Sequence, residues 1–406
     1  VIEDVVRASN ELTGRWARHA CTGGTGVLSG AGLWPLLALL AAAAEGPGRA
    51  ELQEAVGVDA AVADRGAREL LEVLARGAAV DGAFGLWNRA GLPLEQWWLD
   101  AAPGGSRGEL SGEPKADRRR LDEWVEQNTR GRLVRMPVEV TPGTLMVLAT
   151  ALSIDTRWRR PFQDFPFTPG EGPWSGRPRP LVGLSRGDTD FTPIALAETP
   201  GGPLTVFQVA GVDDVDVHLL MAAPGRPAGE ALAAAIDALD GRHPMRRGTE
   251  LLAEPVARTA PGVRLTTVTS FDPAPTLHMT TVRFDVTAEH DLLDRPEVFG
   301  LATVSAEAPD GHFPRISRTP LKVEQAAQDV NASFTAEGFK AAAVTAFSFD
   351  VGSAPPQQEA LMLSVAFDRP FGFLARHRPT GLVLVAGWVA EPAEWPKDVP
   401  SGPSFW

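Results

Sequence analysis

The sequence predicts an α+β fold, with helices early and strands late. Helical periodicity dominates up to residue 128, and period-two alternation dominates from residue 200 onward. The two are never interleaved in the regular βαβ rhythm of a parallel sheet. Between them lies residues 144–154, a continuous apolar run with β-branched residues, which suits a strand buried on both faces. The chain has 406 residues, 44% hydrophobic and 22% charged, a globular composition with length for a large core. No internal repeat, low-complexity linker or composition break divides it, so one domain over 1–406 is expected. The Gly/Pro-rich stretch 169–180 is short enough to be a surface loop.

Taken in order, residues 2–20 read as an amphipathic helix. Residues 23–32 are Gly/Thr-rich and lead into a mostly apolar helix over 33–44. Gly46-Pro47-Gly48 breaks that helix, and a short one over 50–56 ends at Gly57. Residues 64–76 are helical, 80–87 alternate as a strand, and 121–128 form a helix with Leu121, Trp124 and Val125 on one side. After residue 200 the expectation is mostly strands: 204–209, 215–221, 265–269, 280–286, 363–367, 371–376 and 382–389.

Several function classes are excluded. A net charge of -13 argues against nonspecific binding to nucleic acid or an anionic membrane. Arg118-Arg119-Arg120 sits beside Asp117 and Asp122 and reads as a solvated helix face. The apolar run 33–44 is too short to span a bilayer and contains Pro35. The first ten residues carry an acidic pair and no apolar core, so no signal peptide is expected in this chain, and the compartment is left open. Cys21 is the single cysteine, so no intramolecular disulfide forms. The seven histidines, such as His218 and His312, show no metal or triad spacing and read as surface or structural residues. With no H-E-x-x-H, and with Gly23-Gly24-Thr25-Gly26 lacking a phosphate-loop lysine, neither an enzyme nor a cofactor or metal site is expected.

The most informative stretch is 338–370. Phe339, Ala341, Ala343, Thr345, Phe347 and Phe349 fall on one side of a strand, and Lys340, Ala342, Val344, Ala346, Ser348 and Asp350 on the other. Gly352, Ser353, Pro355 and Pro356 then interrupt any ladder. Lys340 to Ala346 is also Ala-rich, and on this window alone a surface helix fits equally well. The rest of the chain decides for the strand.

Five segments in order resemble one family, the serpins. They are S-G-A-G-L-W-P-L-L-A-L-L-A-A-A-A-E-G with A-E-L-Q-E-A-V-G within 28–57, L-D-E-W-V-E-Q-N-T-R-G-R-L at 121–133, and V-L-A-T-A-L-S-I-D-T-R-W-R-R-P-F at 147–162. E-G-F-K-A-A-A-V-T-A at 337–346 and F-D-R-P-F-G-F-L with T-G-L-V-L-V-A-G-W-V within 367–392 complete the set. The resemblance implies a serpin-like single domain with three β-sheets, eight to nine helices and an exposed reactive-centre loop at about 338–362. It implies a suicide mechanism against a serine, or cysteine, endopeptidase: the cleaved loop inserts into the main sheet while still acylating the protease. The nucleophile belongs to the partner, so no catalytic residue is expected here, and the inhibitor is expected to act as a monomer.

On this resemblance Glu337, Gly338, Phe339, Lys340, Ala341, Ala342 and Ala343 form the hinge. Ser29, Thr150, Trp158 and Gln328 occupy the sheet-opening region. The cleaved bond, fourteen residues after the hinge glycine, falls at Gly352-Ser353. Cleavage at Phe349 would suit a chymotrypsin-like enzyme, and at Val351 an elastase-like one. Inward burial of Phe339, Phe347 and Phe349 would supply about 1.5–3 kcal/mol each. Departures from the family pattern are Phe339 where Thr or Ser is usual, Gly32 for a second serine, Thr150 for asparagine and Gln328 for histidine. They leave a second reading open: a non-inhibitory binding or carrier protein whose loop is cleaved without trapping.

Overall fold

In the computed structural model of this protein, residues 2–101, 107–129, 131, 133–339 and 358–396 are described. Among the described residues seven helices exceed one turn: α1 (Ile2–Ala20), α2 (Gly30–Ala43), α3 (Gly46–Val56), α4 (Ala60–Arg76), α5 (Gln96–Ala101), α6 (Pro114–Asn128) and α7 (Ala228–Leu239). Three more span four residues each: α8 (Glu254–Ala257), α9 (Pro296–Phe299) and α10 (Ala302–Ser305). α2 starts three residues before the apolar run because Ser29 caps it, its Oγ accepting from Gly32 N at 3.1 Å. Pro47 sits in the first turn of α3, where a missing N–H costs nothing, and Gly57 ends it at φ 70°. α7 was not expected from the strand-rich reading of the second half. Its apolar, Ala-rich sequence is helical because one face packs on α1 and the other on a sheet.

The first ten strands are β1 (Gly26–Leu28), β2 (Val80–Arg89), β3 (Arg107–Leu110), β4 (Met146–Ile154), β5 (Thr156–Arg157), β6 (Gln163–Phe167), β7 (Leu181–Asp188), β8 (Ile194–Thr199), β9 (Gly202–Ala210) and β10 (Val215–Ala222). The remaining nine are β11 (Met245–Arg247), β12 (Val263–Ser270), β13 (Thr276–Val282), β14 (Phe284–Asp291), β15 (Ala327–Phe334), β16 (Gly338–Phe339), β17 (Gln358–Ala366), β18 (Phe371–His377) and β19 (Val383–Val389). A seven-stranded sheet runs β1-β19-β18-β10-β9-β8-β11, and a five-stranded one runs β12-β17-β13-β7-β6. Two further ladders, β14-β15-β16-β5 and β3-β2-β4, are halves of one main sheet, since β5 continues β4 after Asp155. The three-sheet plan is met in that sense.

β10 and β19 bury every residue. They lie between α1 and α7 on one side and the main sheet on the other, where Phe284 of β14 meets Phe373 of β18 at 4.8 Å. The single strand expected over 280–286 is two: Arg283 separates β13 from β14, and each pairs in a different sheet. The run 144–154 is not buried on both faces. Val147 and Ala149 pack under α6 with Leu121 and Val125, while Met146, Leu148, Thr150 and Leu152 are only half-buried, because that face borders an opening. The loop expected over 338–362 is strand at both ends, 338–339 in β16 and 358–362 in β17.

Candidate functional site: a slit in the main sheet

β4 pairs with β2, and β15 pairs with β14, but among the described residues no ladder joins β4 to β15. Among the described residues the space is bridged at one end only. There β16 lies antiparallel to both neighbours, with Phe339 opposite Phe334 of β15 and opposite Thr156 of β5. Below β16 the two half-sheets flank a cavity of about 40 Å³ lined by Thr150, Leu152, Ile154, Gln328, Val330 and Ala332. Further along, a cavity of about 320 Å³ is lined by Met146 and Leu148 of β4, by Leu33, Leu37 and Leu40 of α2, and by the segment 320–327.

The hinge end is held by named contacts. Thr335 Oγ1 accepts from Gly338 N at 3.3 Å, Thr335 N donates to Gly338 O at 2.9 Å, and so the chain reverses between β15 and β16. Trp158 N donates to Glu337 O at 2.8 Å, and Phe162 N to Ala336 O at 2.8 Å. The indole Nε1 of Trp158 donates to Thr335 O at 2.9 Å, and its ring lies 4.8 Å from Phe334. A Cβ on Gly338 would stand 2.4 Å from Thr156 O, so only glycine permits this approach. Phe339 is 2% exposed, its ring 6.3 Å from Phe373. Burial raises the Asp164 carboxyl above its ordinary value, and Glu337 adds to that against Arg283.

Midway along the slit a second cluster ties the two halves to the start of α2. Gln328 of β15 clasps Ser29, accepting from its N–H at 2.9 Å and donating to its carbonyl at 2.9 Å. Ser29 Oγ donates to Leu384 O at 2.6 Å, and Thr150 of β4 donates to Gly32 O. Gly32 fills the centre: a Cβ there would lie 3.4 Å from both Gln328 Nε2 and Ser29 Oγ. Beside it, burial and the neighbouring Glu289 raise the Asp329 carboxyl, against the pull of Arg135, His290 and Arg118.

Of the residues singled out in the sequence, Ser29, Thr150 and Gln328 thus meet, with Gly32, at mid-slit. Trp158, Glu337, Gly338 and Phe339 meet at its hinge end. Lys340, Ala341, Ala342, Ala343, Gly352 and Ser353 lie outside the described residues. Thr335 and Phe373 were missed. A Thr three residues before a Gly is a turn signal that marks Thr335, whereas nothing local marks Phe373. His218 is buried, not on the surface. Gly183-Leu184-Ser185-Arg186-Gly187 spells G-x-S-x-G, but it runs along β7 within the five-stranded sheet instead of forming a strand-to-helix turn. A second such string, 104–108, begins outside the described residues. Among the described residues no cluster of His, Cys, Asp and Glu could hold a metal, and no helix is long and apolar enough to cross a membrane.

A family model described as Serpin (serine protease inhibitor) matches residues 10–170 and 276–392. Plasminogen activator inhibitor 1 of Bos taurus is 26% identical over 274 residues, covering 67% of this chain and 61% of that protein. Glia-derived nexin of Rattus norvegicus is 32% identical over 111 residues, 27% of this chain and 26% of that protein. Both matches span less than two thirds of the relative's own length. Among solved structures, one described as thyroxine-binding globulin in complex with thyroxine superposes with a TM-score of 0.70 at 18% identity, covering 96% of this chain and 99% of that one. One described as cleaved Serpin 42Da gives 0.71 at 15% identity, covering 97% and 99%.

Proposed function

The chain belongs to the serpin family, and from that premise we propose that it is a suicide inhibitor of serine endopeptidases, trapping the acyl-enzyme by inserting its cleaved loop into the slit. The observation that carries this is the fit between slit and loop. Gly338 faces Arg157 and Phe339 faces Thr156. Continuing that antiparallel register, Ala341 comes opposite Ile154, Ala343 opposite Leu152, Thr345 opposite Thr150, Phe347 opposite Leu148 and Phe349 opposite Met146. All five belong to the side on which Phe339 is buried. The alanines would then meet the 40 Å³ cavity and the two phenylalanines the 320 Å³ one. An apolar cavity of about 150 Å³ takes one benzene ring, so the larger cavity has room for two. Thr345 would reach the Ser29–Thr150–Gln328 cluster.

In this reading Gly352-Ser353 is the cleaved bond, with Gly352 reaching the level of Gly143 at the far end of the slit. The protein contributes no nucleophile. It stabilises the trapped state by completing the ladder, each new hydrogen bond adding about 0.5–1.5 kcal/mol. Phe339 favours a second reading as well, since its ring already occupies the first inserted position and tethers the loop. A loop so tethered could be a mere substrate on a binding or carrier protein.

The test is heat unfolding of the intact protein against the same protein nicked within 345–361, alongside incubation with chymotrypsin-like and elastase-like proteases. A large rise in midpoint on nicking, with a denaturant-resistant protease complex, is the expected result. A rise without a complex would select the non-inhibitory reading, and no rise would refute insertion. Sequencing the new N-terminus after digestion locates the bond. A start outside 348–361 would overturn its placement.

A further inference from the structure

β12 occupies an outer edge of the five-stranded sheet and pairs with β17 along eight residues, from Val263 opposite Val365 to Ser270 opposite Gln358. β17 is the chain that follows the loop. It is held on its other side by β13, in parallel register from Met362 opposite Thr276 to Ala366 opposite Thr280. β12 lies outside both stretches matched by the family model, which resume at residue 276.

We propose that β12 is a clamp that keeps the uncut chain from inserting its own loop, so that insertion waits for cleavage. This rests on the insertion reading above and concerns its regulation. β13 passes through Arg283 alone into β14, whose first residue, Phe284, faces Phe334. The sheet that holds β17 therefore stands at the hinge end of the slit. Carrying the loop from the level of Thr156 to that of Gly143 advances it thirteen residues, about 43 Å at 3.3 Å per residue. From Gly352 back to Gln358 leaves six residues, which reach only about 20 Å. An uncut loop can therefore fill the slit only if β17 leaves its sheet. Were β17 an edge strand, it would have to break one ladder. With β12 in place it must break two, and Leu363 and Val365, buried in that sheet opposite Leu265 and Val263, must be exposed. Thr266 Oγ1 adds a side-chain bond to Met362 O at 3.4 Å. Cleavage removes the requirement entirely, because the cut end travels without β17.

The test uses the full chain held uncut at a fixed temperature below its unfolding midpoint, sampled over time for the fraction converted to a higher-melting form of unchanged mass. In an antiparallel edge strand, alternate N–H groups point to the partner and to solvent. Of Thr267→Pro and Val268→Pro, one therefore breaks the clamp and the other faces the open edge. The clamp-breaking variant is expected to convert about tenfold faster or more than the natural chain, and its neighbour at the natural rate. Should the clamp-breaking variant not fold, Thr267→Cys with Leu361→Cys, opposite each other in the ladder, tests the same point in reverse. At a temperature where the reduced pair converts, the oxidised pair is expected to stay unconverted. Equal rates for both proline variants and the natural chain, or for oxidised and reduced pairs, would overturn the clamp. Nicked samples of each protein separate the two ideas. If they melt higher while uncut rates are equal, only the clamp fails; if nicking raises no midpoint, the insertion reading fails and takes the clamp with it.

Discussion

Replacing Phe347 and Phe349 together by serine is expected to weaken the inserted form while leaving the uncut protein alone. Each ring, if moved from water into the cavity lined by Leu33, Leu37, Met146 and Leu148, contributes about 1.5–3 kcal/mol, so the pair is worth about 3–6 kcal/mol. A chain of this length unfolds with an entropy of about 0.85 kcal/mol/K, taking ~2.1 cal/mol/K per residue. The nicked double variant should then melt about 4–7 °C below the nicked natural protein. The uncut variant should melt with the uncut natural protein, since the contacts at issue form only on insertion. The assay is calorimetry on all four samples, with nicking checked by mass. Equal midpoints for the two nicked proteins would refute the register, because the two rings would then not occupy the cavity. A drop of the same size in the uncut pair would show that the rings stabilise the uncut form too.

Three further outcomes follow from the geometry. Gln328→Leu removes two hydrogen bonds that tie β15 to Ser29 at the start of α2, each worth about 0.5–1.5 kcal/mol. It should speed insertion after nicking, read by stopped-flow fluorescence of the tryptophans, and an unchanged rate would mean the clasp does not resist opening. Gly338→Ala forces a Cβ to 2.4 Å from Thr156 O, so β16 should leave the sheet and the loop should be cut several-fold faster by a dilute nonspecific protease; unchanged cutting would contradict that. His218 is buried and carries a pKa lowered to about 4, by burial first and then by Arg376. The unfolded chain therefore takes up a proton below about pH 6.5 that the folded one refuses until about pH 4. Stability should be level above pH 6.5 and fall by up to about 3 kcal/mol as pH drops through that window. His218→Leu should flatten that limb in urea titrations, and a limb of equal slope would assign it to other groups.

Much of this was legible in one dimension. Alternation assigned Phe339 to a buried face, amphipathic periodicity placed α1, and Gly57 placed the end of α3, but α3 begins at Gly46, four residues before the expected 50, because Pro47, read as a breaker, starts a helix when it stands in the first turn. Sequence order also brought Ser29, Thr150 and Gln328 together as one region through the family resemblance. Other features depended on neighbours far along the chain. The run 144–154 is as apolar as a doubly buried strand, yet its Met146 face borders a slit. Whether a strand has a partner is decided by another strand, here β15, some 180 residues later. α7 received no element in the strand-rich second half, and it is packing between α1 and a sheet that makes it a helix.

The sequence alone determined that this is an α+β chain with the marks of one family, and that residues 338–350 alternate with one more apolar side, because periodicity and glycine placement are local properties. Only the tertiary structure decided that Phe339 is already seated in the main sheet, that a small cavity lies next to it and a larger one beyond, and that β12 covers β17. Those are matters of registry between strands distant in sequence, and registry is set by which surfaces must be buried together.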